Sequence, residues 1–194
     1  MRNLQIVGFT GLAGTGKDTT AMLLAEALQA RGKRVERMAF ADPIRWMLGA
    51  LGVTEADLAD RARKEQPLPA FNGASPRRLM QTLGTEWGRT HLGEDFWVRR
   101  LEQRLARLDE VGKRPDYLLI TDVRFQSEAE WIRQHGGWIV RVTRRSATPV
   151  TSHSSESTFL HAQLLIENDH DLQALRAQLD RIACILMANA ALEA

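Results

Sequence analysis

The 194-residue sequence contains one cysteine, no internal repeat, no low-complexity linker and no apolar run of bilayer-spanning length. A lone cysteine permits no intrachain disulfide and leaves no second thiol to complete a thiolate metal site or a redox pair. Cys184 falls within an apolar helical pattern and reads as a core thiol. The longest apolar stretch near the end, residues 182–188, is too short for a transmembrane helix. Residues 1–8 lack the extended apolar core of a secretory signal, so the expectation is a soluble intracellular protein. A formal charge of only +2 is weak ground for nucleic-acid binding. The arginines are scattered without the interleaved aromatics of a single-strand platform, and no stable nucleic-acid complex is expected.

What is present is an alternation of apolar strands and amphipathic helices. Residues 4–9 form a short apolar run that ends in a glycine-rich turn, and residues 17–30 follow with helical spacing. Residues 34–40 read as a second strand, and Asp42-Pro43 as a helix cap followed by proline at the first helical position. Residues 53–63 read as helix and residues 65–74 as loop. Ser75-Pro76 repeats the cap-then-proline signature, and residues 96–108 read as a further helix. Strands at 117–121, 138–143 and 163–167 alternate with helices at 127–134 and 171–187. This order predicts an α/β fold with a parallel five-stranded sheet and helices on both faces. The polar, aperiodic stretch 144–160 reads as a small lid. One domain over 1–194 is expected, with a helical insertion at about 42–110.

Gly11-Leu-Ala-Gly-Thr-Gly-Lys17 has Walker A spacing and sits between a predicted strand and a predicted helix. Glycines let such a loop curl so that consecutive N–H groups face phosphate oxygens, and the helix N-terminus adds positive potential. Gly11, Ala13, Gly14, Thr15, Gly16, Lys17 and Thr19 are therefore candidate ATP contacts. Lys17 is suited to offset charge between the β- and γ-phosphates. Asp18 replaces the hydroxyl that usually follows the lysine, and is expected near magnesium through water. The absence of Asn-Lys-x-Asp argues against a GTPase. Charged residues follow the strands: Asp42 and Arg45, then Asp122 and Arg124, then Arg141, Arg144 and Arg145. In a parallel sheet these positions share one edge. Each also reads as a cap or a solvated charge, but together they suit a second, phosphate-bearing molecule.

These segments, with Phe40-Ala-Asp-Pro-Ile-Arg45, Gln81-Thr-Leu-Gly-Thr-Glu-Trp-Gly-Arg89, Asp122-Val-Arg-Phe125 with Glu128, and His153-Ser-Ser-Glu156, give the chain a resemblance to the phage and bacterial deoxynucleoside monophosphate kinases. Gly-Lys-Asp-Thr is also the form of the phosphate loop that this family carries. Ile166-Glu-Asn-Asp169 resembles the adenine-side loop of related kinases, which places Asn168 at the donor. The resemblance implies magnesium-dependent transfer from ATP to a deoxynucleoside monophosphate in a bacterial or phage-infected cytoplasm. It implies that Arg45, Arg89 and Arg124 hold the acceptor with Asp42, Trp87, His153 and Glu156 close by. Arg144 and Arg145 would close on the transferring group. Asp18, Asp42 and Asp122 would meet magnesium, through water or directly. A homodimer is left open. So are a kinase of another small acceptor, resembling dephospho-coenzyme A kinase or phosphomevalonate kinase, and a non-catalytic nucleotide-binding regulator.

Overall fold

The computed structural model describes residues 4–147 and 160–192, and of residue 192 the backbone alone. Most of the expected lid, with His153 and Glu156, lies outside the described residues. Five parallel strands, β1 (Gln5–Thr10), β2 (Val35–Met38), β3 (Tyr117–Ile120), β4 (Trp138–Thr143) and β5 (Leu164–Glu167), form one sheet in the order β2-β3-β1-β4-β5. The central register sets Gln5 beside Tyr117 on one side and Thr10 beside Arg141 on the other.

Two compact units make up the chain, one from Met1–Ala39 with Arg104–Ala194 and one from Phe40–Gln103. In the first, both faces of the sheet are covered, so the central strands β1 and β3 are buried at every position. Val7, Phe9, Leu119, Val140 and Val142 pack on Leu24 and Leu28 of α1 (Lys17–Gln29) and on Leu175, Leu179 and Leu186 of α8 (Leu172–Leu192). The intervening residues face the other way. Gly8 is small because Ile132 of α7 (Gln126–Gln134) and Val123 close over it; a Cβ there would lie 2.5 Å and 2.7 Å from their methyl groups.

One core residue carries a cost. Tyr117 is buried, and its hydroxyl has no protein hydrogen-bond partner among the described residues. Burial, and secondarily the nearby Asp116 charge, raise its pKa above the ordinary value. Because the folded state disfavours the phenolate, this contribution to stability is intact below about pH 10 and lost as pH rises through the folded value. Tyr117→Phe is expected to stabilise the chain by about 1 kcal/mol, because it removes an unpartnered hydroxyl. It should also flatten the alkaline limb of stability measured by denaturant melts from pH 8 to 11; a limb as steep as wild type contradicts this account.

The second unit is helical: α2 (Asp42–Ala50), α3 (Glu55–Ala59), 3₁₀ turns at Arg63–Glu65 and Pro69–Phe71, α4 (Pro76–Gln81), a π-helical segment Thr82–Arg89, α5 (Thr90–Leu92) and the first turns of α6 (Phe96–Glu110). The expected cap at Ser75 is present, its hydroxyl accepting from the Arg78 N–H at 3.3 Å. Three expectations are corrected. Asp42 is not the cap of α2: the N-cap is Ala41, and Asp42 is the first helical residue, where its charge complements the helix N-terminus. The helix expected over 53–63 is only α3, because the Asp60 carboxylate accepts from the Ala62 and Arg63 N–H groups (2.9 and 2.8 Å) and bends the chain out of helix. Cys184 is exposed, with its sulfur 3.9 Å from an Arg31 guanidinium nitrogen, so it is no core thiol; the apolar stripe of α8 passes through Ile182, Ala183 and Leu186. No helix among the described residues is long and apolar enough to cross a membrane.

Candidate active site

The order β2-β3-β1-β4-β5 places a topological switch at the carboxyl ends of β1 and β3. From β1 the chain goes on to an edge strand on one side, and from β3 it crosses to the other. Crevices at such points hold ligands in open α/β sheets. The Walker A loop leaves β1 there, and Asp122-Val-Arg124 leaves β3. The two exits are joined by the Val123 N–H donating to the Phe9 carbonyl at 3.0 Å.

The loop is built by three glycines with positive φ: Gly11 at 139°, Gly14 at 82° and Gly16 at 91°. Gly11 also sits against β4, where an added Cβ would come within 2.2 Å of the Val142 carbonyl oxygen. The Thr15 side chain is buried and its hydroxyl donates to the Leu12 carbonyl (3.0 Å), which closes the curl. The Lys17 ammonium donates to the Gly11 and Leu12 carbonyls, both at 2.8 Å, so it is held across its own loop. Thr20 turns inward, its hydroxyl donating to the Gly16 carbonyl, whereas Asp18 is exposed in the first turn of α1 and Thr19 is partly exposed.

Asp122 is buried at the β3 exit. Arg124 is exposed, and its position is set by Glu128, a fully buried carboxylate whose Oε2 accepts from the Arg124 N–H (2.7 Å) and the Phe125 N–H (3.0 Å). A negative group at the first turn of α7 satisfies donors that the helix start leaves open. Sequence spacing includes Glu128 in the motif, but its buried role depends on the turn geometry. At the β4 exit, Arg144 and Arg145 are exposed, and Asp169 accepts from the Arg145 N–H at 2.6 Å. Arg141, by contrast, faces back into the fold and donates to the Leu160 carbonyl. Asn168 donates from its side chain to the Thr15 carbonyl at 2.8 Å, which brings it onto the phosphate loop itself.

In the helical unit, Arg45 pairs with Asp42 across one turn of α2 at 3.8 Å. Trp87 and Arg89 lie in the π-helical segment, which sequence periodicity could not show because the 3.6-residue period fails there. Arg89 is buried and bonds the Glu94 carbonyl. Trp97 is a core anchor: it is buried, and its indole N–H donates to the Gly84 carbonyl at 2.8 Å. It lies so close to Gly88 that a Cβ there would be 2.5 Å from the ring. Trp87 is 41% exposed and meets Phe96 edge-on, with ring centroids 5.9 Å apart.

The sequence profile of the deoxynucleotide monophosphate kinases matches residues 63–179, more than half of the chain. The adenylylsulphate kinase profile matches residues 3–66, the stretch that holds the phosphate loop. A protein of Acanthamoeba polyphaga mimivirus, provisionally named a deoxynucleotide monophosphate kinase, is 27% identical over 93% of this chain and 95% of its own. The deoxynucleotide monophosphate kinase of Escherichia phage RB69 is 31% identical over 56% of this chain and 44% of its own. Among solved structures, a Chloroflexus aurantiacus protein provisionally named a kinase superposes with a TM-score of 0.51 at 13% identity, over 97% of this chain and 98% of that one. That likeness shows the fold alone. The phosphate loop, the strand order and the profile match over residues 63–179 establish that the chain belongs to the deoxynucleotide monophosphate kinase family, among the P-loop kinases.

Proposed function

We propose that the protein transfers the γ-phosphoryl group of ATP to a deoxynucleoside 5′-monophosphate and releases ADP and the deoxynucleoside diphosphate. The observation that carries this reading is the joining of the phosphate loop and the Asp122–Arg124 turn at the switch point of the sheet. One turn suits the donor phosphates, and the other offers an acid and an exposed guanidinium beside them.

In the proposed step an acceptor phosphate oxygen bonds to the γ-phosphorus as the bond to the β–γ bridging oxygen breaks. The nucleophile is an ionised phosphate, so no general base is required and catalysis rests on positioning and charge neutralisation. In this reading Gly11, Ala13, Gly14, Thr15, Gly16 and Thr19 line the donor phosphates, and Lys17, whose ammonium donates to two loop carbonyls, offsets their charge. Arg124, Arg144 and Arg145 neutralise the transferring group, and the planar fork of arginine suits its oxygens. Asp42, Arg45, Trp87 and Arg89 serve the acceptor, together with His153 and Glu156.

The acids fit magnesium. Among the described residues no three such side chains gather into an all-protein cage, but magnesium takes one or two carboxylates and completes its shell with phosphate and water. Buried Asp122 and exposed Asp18, both in the sheet unit, are the hard oxygen donors that would hold it. The ion, when bound, lowers repulsion among the phosphate oxygens.

An acceptor panel tests this reading. With ATP and magnesium, the four deoxynucleoside monophosphates are expected to give ADP faster than their ribose counterparts do. An apolar wall that strands the 2′-hydroxyl costs about 1–3 kcal/mol, or roughly 5- to 150-fold in efficiency. Adenylyl sulphate belongs in the panel because of the profile match over residues 3–66. Turnover of that compound alone, or equal use of dGMP and GMP, contradicts the assignment.

A further inference from the structure

Asn168 follows β5, at the position where the family resemblance sets a loop beside the donor base. Its contacts are of another kind. The side-chain amide donates to the Thr15 carbonyl at 2.8 Å, and its own backbone N–H donates to the Thr143 carbonyl at the end of β4 (2.9 Å). The amide nitrogen lies where a Cβ on Gly16 would come within 2.4 Å of it. The neighbouring Asp169 is likewise engaged, with the Arg145 N–H and guanidinium.

The consequence lies in peptide geometry. The bond between Thr15 and Gly16 is trans, as are all those described, and in a trans peptide the C=O and N–H point in opposite directions. Holding the Thr15 carbonyl toward Asn168 therefore turns the Gly16 N–H away from it. Thr15 itself is anchored, its hydroxyl and N–H both donating to the Leu12 carbonyl, which leaves the turn of the following peptide to the Asn168 contact with its carbonyl. We infer that Asn168 is a positioning residue of the phosphate loop, which fixes the Gly16 N–H toward the donor phosphates and does not read the donor base. This rests on the reading of Gly11–Thr19 as the donor-phosphate site.

The test compares ATP, GTP and inorganic tripolyphosphate, which has no base, by calorimetric titration of the full chain with magnesium. Asn168→Ala is expected to weaken all three by a similar factor, about 5- to 10-fold for one lost hydrogen bond, with the ATP-to-GTP ratio unchanged. Weakening confined to ATP, or no change for tripolyphosphate, overturns the inference. Thermal melting is followed alongside. Should the alanine variant unfold at assay temperature, Asn168→Asp carries the test, because a carboxylate matches the shape but cannot donate to the Thr15 carbonyl. A wild-type chain that binds neither ATP nor tripolyphosphate would defeat the donor-site reading itself, an outcome distinct from wild-type binding that the variants leave untouched.

Discussion

Lys17→Met is expected to lower the rate of phosphoryl transfer by roughly 10²–10³-fold, the scale of losing one preorganised charge-stabilising donor. The lysine is not a loosely solvated side chain: two loop carbonyls at 2.8 Å keep its ammonium across the mouth of the curl. Much of its ordering is therefore in place without nucleotide, so under the proposed reading it would act on the transition state with little further cost. Methionine fills similar volume but brings no charge, so the fold should survive while the rate falls. Arginine is not an equivalent substitute, because its rigid fork cannot sit as a point charge between two phosphates. Single-turnover transfer, measured beside a thermal melt, separates the effects. A variant that keeps a tenth of the wild-type rate would remove Lys17 from the chemistry.

Gly11→Ala should be the most damaging substitution of a loop residue for stability. A φ of 139° belongs to a region that only glycine occupies readily, and the new Cβ would lie 2.2 Å from the Val142 carbonyl oxygen. That carbonyl is part of β4, which pairs with β1 on one side and β5 on the other, so it cannot retreat without disturbing the sheet. Overpacking and backbone strain together should cost about 3 kcal/mol, or roughly 6–12 °C in Tm for a chain of this size. Gly32 is the control. It also has positive φ, at 76°, but nothing lies within 4 Å of its Cβ position, so Gly32→Ala pays the backbone term alone, about 1 kcal/mol. Equal melting temperatures for the two variants would show that the close approach to β4 carries no weight.

The parts of the fold that could be read from sequence are those where one signal dominates. Residues 138–143 read as strand, and β4 occupies that span with Ile139, Val140 and Val142 buried. The glycine spacing of the phosphate loop and the run 117–120 were equally legible, because buried parallel strands and tight turns each demand particular residue types. Legibility failed where tertiary contacts override local preference. Trp97 close against Gly88 and bonded to Gly84 accompanies a π-helical segment that no periodicity announces. The Asp60 turn cuts short a helix that residues 53–63 otherwise favour. At the site, the phosphate loop and the acids at strand ends were visible, but the partners that orient them were not. Glu128 under Arg124, and Asn168 against Thr15, depend on how turns from separate strands meet. The exposure of Cys184 is a matter of helix phase, which one residue's polarity does not settle.

The most direct measurement follows γ-labelled ATP with magnesium and each deoxynucleoside monophosphate, resolving the labelled products. Label is expected in the β-phosphate of the deoxynucleoside diphosphate, appearing roughly 10²–10³-fold more slowly with Lys17→Met. Label found only in inorganic phosphate, whichever monophosphate is supplied, would contradict it.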